Sequence, residues 1–506
     1  MTSRREFLAL LTAAGATPAL AFSADAAVVS SATIAADPLR PQYHLLPRAN
    51  WMNDPNGPIY WNGSYHMFYQ YNPEGAYWGD MHWGHAVSAD MVHWRQLPVA
   101  LSPTPGGPDA EGCFTGTAVV QDGRVMLMYT GVRAASRELA TIKDANPPLQ
   151  ESQCLAIAND AALTSWTKVS APVIAAPPSG MQVNGFRDPS PWRQGEWWYT
   201  VLGSGVANEG GAVLLYRSKD LRAWEYMHVL ARRDRSGLAQ FGPFDPWDVW
   251  ECPEFFPLGD RHVLMFSTGG RSYWQSGRLD AEKMTFAPEQ SGILDYGSYY
   301  APKTQLDKAG NRILWGWIQE ARPLEEYKAA GWAGMMSLPR VLSLSEDGRL
   351  RLSVAPAVHQ LRGREQALKI SGDAEANRRQ VDALRVEACC GEILCTAERA
   401  AAFELTLMGD DASPWLTLGF DPAHQDQVLV DGRPVPLHLE ARENLEFHLY
   451  IDGSVIETMV NRQVAWTKRF YYAGKGRDLR LRWKGAGLAG LSVWQMSPIS
   501  ADRLTS

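Results

Sequence analysis

Three short motifs each set a carboxylate among residues that could aim or tune it: Asn53-Asp54-Pro55-Asn56-Gly57, Arg187-Asp188-Pro189 and Trp250-Glu251-Cys252-Pro253. Taken singly, each has an ordinary reading. The first is a good β-turn sequence, the second a surface ion pair before a turn, and the third a strand end with an acid beside bulky apolar neighbours. Brought together, they read differently. Carboxylates that share one concave site repel one another and shift each other's pKa, an arrangement that points to acid–base or nucleophilic work. Glycosidic-bond cleavage uses such a set: one carboxylate attacks the anomeric carbon and one carboxylic acid protonates the leaving oxygen. A third acid can hold the sugar hydroxyls. Trp250 and the neighbouring like charges would favour the protonated form of Glu251.

The elements that would have to position these acids recur along the chain. A glycine turn leading into an aromatic or aliphatic strand occurs at Gly63, Gly123, Gly195, Gly259 and Gly310. An Asp followed by an aromatic occurs as Asp90 to Trp94, Asp160 to Trp166, Asp220 to Trp224 and Asp280 to Phe286, with Asp-to-Asp steps of 70, 60 and 60 residues. Units of this size, rich in short strands and poor in helical periodicity, predict four-stranded propeller blades, and five glycine turns predict five of them. A large sandwich with coincidental spacing is the alternative.

The first strand of each blade faces the central channel. Counting seven to nine residues back from the hairpin glycines reaches Asp54 from Gly63, Asp188 from Gly195 and Glu251 from Gly259. From Gly123 the same step reaches Phe114 and Thr115, and from Gly310 a step of nine or ten reaches Ala301 and Tyr300. The repeat therefore predicts three carboxylates at equivalent places on three blades, aimed at one axis.

Beyond Pro339-Arg340, segments such as Phe403–Leu407 and Phe447–Ile451 alternate with the period of half-buried strands, and Asp431-Gly432 and Asp452-Gly453 read as hairpin turns. The predicted fold is all-β, a five-bladed β-propeller over residues 40–342 followed by a C-terminal β-sandwich over 350–502. Residues 1–26 read as a twin-arginine leader, with Arg4-Arg5 before the apolar stretch Leu8–Leu20. Export to the periplasm or the exterior is the expectation, with no membrane span in the mature chain. The net charge of −7 without a basic run argues against nucleic acid as a partner. Nothing in the chain points to an obligate protein partner. The six cysteines follow no metal spacing, and no disulfide framework is predicted, with a bridge within the late cluster Cys389, Cys390 and Cys395 left open. His82 and His85 are three apart, but they lack the further ligands a zinc site requires, so neither metal nor cofactor is expected.

The three acidic motifs, together with His66–Pro73 and His82–Ser88, resemble glycoside hydrolase family 32, the invertases, inulinases, levanases and fructan exohydrolases. The resemblance runs from about residue 43 to 342 and continues more weakly into the sandwich. It implies the same propeller and sandwich, and exo-acting hydrolysis of terminal β-fructofuranosyl residues of sucrose or fructans with retention of configuration. By this resemblance Asp54 is the nucleophile, Glu251 the acid then base, and Asp188 the group that binds the fructosyl hydroxyls. The two reacting carboxyls should then lie about 5 Å apart. Asn53, Gln70, Trp78, Phe114, Thr115 and Arg187 match positions that line the fructose pocket, and Tyr300 and Trp315 join its wall. For Trp78 and Trp315, plain packing between blades is the competing reading.

Two departures qualify the resemblance. Threonines stand at 115 and 117, where the family often has serine, which keeps the hydroxyl and adds a methyl. The stretch Thr268–Trp274 lacks the acidic residue of plant sucrose-cleaving members, which puts a strict preference for sucrose in doubt. The rival readings are a pentose-cleaving propeller glycosidase, a sugar-binding protein without activity, and a fructosyltransferase that shares the covalent intermediate.

Overall fold

The computed structural model describes residues 29–233, 245–472 and 477–505. The leader predicted for residues 1–26 lies outside them. Strands dominate, and among the described residues no helix is long and apolar enough to cross a membrane.

The five hairpin glycines hold φ values between 62° and 85°, a left-handed conformation that costs glycine little. Each joins the first two strands of an antiparallel sheet. Sheet I contains Asn50–Trp61, Ser64–Asn72, His82–Ser88 and Trp94–Leu101, and sheet II contains Gly112–Gln121, Arg124–Ala134, Leu149–Ala158 and Trp166–Lys168. Sheet III contains Val183–Gln194, Trp197–Val206, Gly210–Ser218 and Trp224–Arg232, and sheet IV contains Glu251–Leu258, Arg261–Thr268, Arg271–Asp280 and Thr285–Ile293. Sheet V contains Tyr300–Leu306, Arg312–Ile318, Arg340–Leu344 and Leu350–Val354. The first strand of each sheet packs on the first strand of the next, and that of sheet V returns to that of sheet I.

The Asp-to-aromatic repeat closes the turn between third and fourth strands. Asp90, Asp220 and Asp280 each accept backbone N–H groups two and three residues on, and Asp160 accepts those two and four residues on. The indole N–H groups of Trp94, Trp166 and Trp224 donate to the carbonyls of Met91, Leu163 and Leu221, residues that sit at positive φ. Each aspartate supplies the acceptor its turn needs, and each tryptophan pins it to the strand that follows.

The last two strands of sheet V extend beyond the predicted boundary at 342 and occupy the first residues assigned to the sandwich at 350. Leu350, Leu352 and Val354 are buried by the same alternation that marks the sandwich strands, so texture alone does not separate the two regions. The C-terminal region then builds two six-stranded sheets around one apolar core. The whole is an all-β chain, consistent with a propeller followed by a sandwich.

A second apolar core joins the two regions, with Tyr299, Trp315 and Leu338 on one side and Tyr450, Met459 and Met496 on the other. Within it lies a fully buried ionic cluster. Arg340 bonds Asp295 Oδ2 at 2.9 Å and Glu457 Oε2 at 3.1 Å, and His44 bridges Asp452 at 2.8 Å and Glu457 at 2.9 Å. A separate trio, His359, Glu392 and His448, converges within 4.8 Å on the sandwich side, where Arg362 grips both Glu392 oxygens. All six cysteines are buried free thiols.

Candidate active site

All five inner strands carry an irregularity at the same level. One extra residue is inserted between Met52 and Pro55, between Phe114 and Gly116, between Arg187 and Ser190, between Glu251 and Glu254, and between Tyr300 and Lys303. A bulge bends its strand and re-aims the side chain beside it. These bulges contain Asp54, Thr115, Asp188, Cys252 and Ala301. Three of those residues sit at positive φ: Asp188 at 63°, Cys252 at 49° and Ala301 at 54°. In sheet II the bulge needs Gly116, because a Cβ there would lie 2.1 Å from the Met128 carbonyl oxygen. The turn chemistry read in Asn-Asp-Pro-Asn-Gly and Arg-Asp-Pro is therefore spent on bulges inside strands, where the same preference for tight backbone serves a different shape.

The carboxylates meet through Cys252. Its backbone N–H donates to Asp188 Oδ2 at 2.7 Å, and its thiol donates to Asp54 Oδ2 at 3.4 Å. Glu251 is its chain neighbour. One residue of sheet IV thus touches the acid of sheet I and the acid of sheet III.

Around Asp54, the Thr115 hydroxyl donates to Oδ2 at 2.7 Å and the Asn53 amide to Oδ1 at 3.0 Å. Both donors are themselves oriented: Gln70 donates to Thr115 Oγ1 at 2.6 Å, and the Trp51 indole donates to Asn53 Oδ1 at 2.7 Å. Burial pushes the Asp54 carboxyl up, the bonds from Thr115 and Asn53 pull it down, and the charge of Glu251 pushes it up again.

Asp188 is buried, and its backbone N–H donates to Thr130 Oγ1 at 2.8 Å. Burial raises its carboxyl to about 7, with Arg187 opposing and Asp54 and Glu251 adding to the rise. Glu251 is half-buried. It accepts the Tyr300 hydroxyl at 2.5 Å on Oε2, and the Arg187 guanidinium lies 3.5 Å from Oε1. Burial keeps the Tyr300 phenol well above its ordinary value, so it stays a donor. Arg187 also pairs with the fully buried Glu151, whose other oxygen accepts the Phe186 N–H at 2.8 Å.

The half-buried rings of Trp78 and Phe114 meet edge to face at 6.0 Å and pack with Trp51 and Trp317. Asn53, Gln70, Trp78, Phe114, Thr115, Arg187 and Tyr300 therefore gather with the three acids. Trp315 does not. It is buried in the core shared with the sandwich, edge-on to Trp94 at 5.7 Å. Its neighbour on the same strand, Trp317, lies opposite Tyr300 and 5.9 Å from Trp51, on the side of the acids. Reading the sequence also passed over Glu151, Thr130, Trp51 and the thiol of Cys252. Of these only Trp51 and Cys252 carried a signal, since both lie inside the acidic motifs.

A carboxylate held by three donors, a second acid held by a phenol and a guanidinium, and a third, buried acid raised to about 7 form a set able to attack, protonate and bind a sugar. Residues 44–356 match the family model described as the glycosyl hydrolases family 32 N-terminal domain. The chain belongs to glycosyl hydrolase family 32. As a member it is a glycoside hydrolase. A sucrose-6-phosphate hydrolase of Escherichia coli is 35% identical over 487 residues, which span 90% of this chain and 94% of that protein. A raffinose invertase of the same organism is 39% identical over 342 residues, 65% of this chain and 67% of its own. The solved GH32 beta-fructofuranosidase of Bombyx mori superposes with a TM-score of 0.74 at 29% identity, covering 91% of this chain and 95% of that one. Fructan 1-exohydrolase IIa of Cichorium intybus shares the fold with a TM-score of 0.73 at 24% identity, covering 91% of this chain and 98% of its own.

Proposed function

We propose that this family 32 hydrolase removes terminal β-fructofuranosyl residues from sucrose or from inulin- or levan-type fructans, in two displacements through a fructosyl-enzyme intermediate. Asp54 attacks the anomeric carbon while Glu251 gives its proton to the leaving oxygen. Glu251 then takes a proton from water as water displaces Asp54. Asp188, at the same level, holds ring hydroxyls as oxocarbenium character develops, with Arg187 balancing the cluster's negative charge. The five sheets are on this reading the five blades of a propeller, and their inner strands carry the site.

The observation that carries the proposal is the double contact of Cys252, the chain neighbour of Glu251, with Asp54 and Asp188. It is supported by relatives named for sucrose-6-phosphate and β-fructofuranoside hydrolysis, and by a variant of the Bombyx mori enzyme described in complex with sucrose. The test is sugar release from sucrose, inulin and levan by the purified protein and by Asp54→Ala and Glu251→Ala. Each variant should fold and lose several orders of magnitude in kcat. Azide should rescue Glu251→Ala by forming fructosyl azide. Near-normal turnover by Asp54→Ala would remove the nucleophile assignment, and binding of fructosides without turnover by the unaltered protein would favour a sugar-binding role.

Residues 1–26 support export by the twin-arginine route as part of the same proposal. Arg4→Lys with Arg5→Lys should leave the protein in the cytoplasm, and unchanged export would refute it.

A further inference from the structure

Next to the carboxylates on the inner strands, Lys303 and Glu254 pair at 3.0 Å with side chains 0% and 5% exposed. Taking two charges out of water costs several kcal/mol, and the pair recovers this only when its remaining donors and acceptors are met. Here they are met. Glu254 Oε1 accepts Ser190 Oγ at 2.7 Å, and Oε2 accepts the backbone N–H and the hydroxyl of Thr304 at 3.0 and 2.8 Å. The Lys303 ammonium also donates to Thr117 Oγ1 at 3.3 Å.

The partners are distributed in a telling way. Thr117 lies two residues beyond Thr115, Ser190 two beyond Asp188, Glu254 three beyond Glu251, and Lys303 three beyond Tyr300. One ion pair therefore ties together four of the five inner strands, each just past its bulge and its site residue. A bulged strand bends easily, and these bends set the aim of the acids. The charges matter as well as the ties. Burial raises the Cys252 thiol, the charges of Asp188 and Asp54 add to the rise and Lys303 opposes it, so the pair's charge reaches the residue that touches both acids. Arg187, Glu251 and Tyr300 lie on the same inner strands. Arg312 reaches the cluster through Thr304 Oγ1 at 3.4 Å.

We infer that Lys303 and Glu254 are positioning residues of the hydrolysis: their ion pair braces four inner strands behind the bulges, and its balanced charge sets the field felt by the site carboxylates. This rests on the proposed fructoside hydrolysis. Without Lys303, Glu254 adds an uncompensated negative charge beside Asp54 and Asp188. Without Glu254, the ammonium is left facing them. The two losses push the carboxylates in opposite directions.

The experiment compares Lys303→Met, Glu254→Gln and the double variant with the unaltered protein, by kcat, KM and the pH profile of kcat/KM on sucrose and inulin, with thermal melting as the check of fold. Lys303→Met should move the acid limb to higher pH and Glu254→Gln to lower pH. The double variant should bring the limb back towards the original, with kcat still down by about tenfold or more from lost aim and KM little changed. If Lys303→Met does not fold, the other two carry the test. Folded variants whose acid limb stays in place, or that lose activity only through KM, overturn the inference while the unaltered protein still turns over. Failure of the unaltered protein on every fructoside overturns the functional reading, and this inference with it.

Discussion

Thr115 donates its single hydroxyl proton to Asp54 Oδ2 across 2.7 Å, and it is committed to doing so because Gln70 already occupies its acceptor side at 2.6 Å. Sheets I and II are thereby joined at the proposed nucleophile. Thr115→Val keeps the shape and removes the donor. A hydrogen bond to a carboxylate is worth about 1.5–3 kcal/mol, so kcat/KM should fall by about tenfold to a hundredfold. Asp54, released from a bond that holds its carboxyl down, should rise further, moving the acid limb of the pH profile upward. Thr115→Ser should behave like the original. A valine variant with an unmoved limb would show that the contact does not act on Asp54.

Asp188 illustrates a site built at the expense of the fold. Its carboxyl is raised by burial to about 7, whereas an unfolded chain titrates near about 3.9. A raised carboxyl favours folding only while protonated. That contribution is complete below about pH 4 and is lost as pH rises through about 7. Asp188→Asn keeps an acceptor for the Cys252 N–H and carries no charge. Its melting temperature should exceed that of the parent at about pH 8, with the gap closing near about pH 4. Activity should fall by about a hundredfold or more. Equal melting curves at both pH values would contradict the burial argument.

His44 works in the opposite sense. Burial lowers its pKa, but the bonds to Asp452 and Glu457 outweigh that and raise it to about 9. Its stabilisation should be complete below the unfolded value of about 6.5 and fade as pH rises through about 9. Glu457, held near 2 by Arg340 and His44 against its burial, keeps its share until strongly acid conditions. His44→Phe leaves two buried carboxylates short of a partner and should cost about 3–5 kcal/mol. Calorimetry should show the difference from the parent largest below about pH 6.5 and shrinking by about pH 10. A difference that does not vary with pH would mean the ring acts by packing alone.

The acids were legible because their positions repeat. The hairpin glycines declare themselves by type, and a step of seven to ten residues back from each lands on the first strand of its sheet. What the sequence hides is the bulge that aims each acid, since Asn-Asp-Pro-Asn-Gly and Arg-Asp-Pro satisfy a turn as readily as a kink within a strand. Glu151 leaves no local trace, because its role depends on register across two sheets. Glu254 and Lys303 are visible only as charges in otherwise apolar strands, a pattern equally suited to a solvated edge. The end of sheet V was missed for a related reason: Leu350, Leu352 and Val354 alternate as any half-buried strand does.

The pair Trp315 and Trp317 tests how finely the wall is understood. Both lie on the second strand of sheet V, yet Trp315 is 1% exposed and meets Trp94, while Trp317 reaches Trp51. Trp51 in turn fixes Asn53, one of the two donors to Asp54 that come from neighbouring side chains of sheets I and II. Trp315→Phe should therefore act on the fold, lowering stability by about 1–3 kcal/mol with KM and kcat unchanged. Trp317→Ala loosens Trp51 and should lower kcat/KM by about tenfold with a smaller effect on melting. Measured side by side, the opposite ranking would assign Trp315 to the proposed fructosyl site and Trp317 to the core.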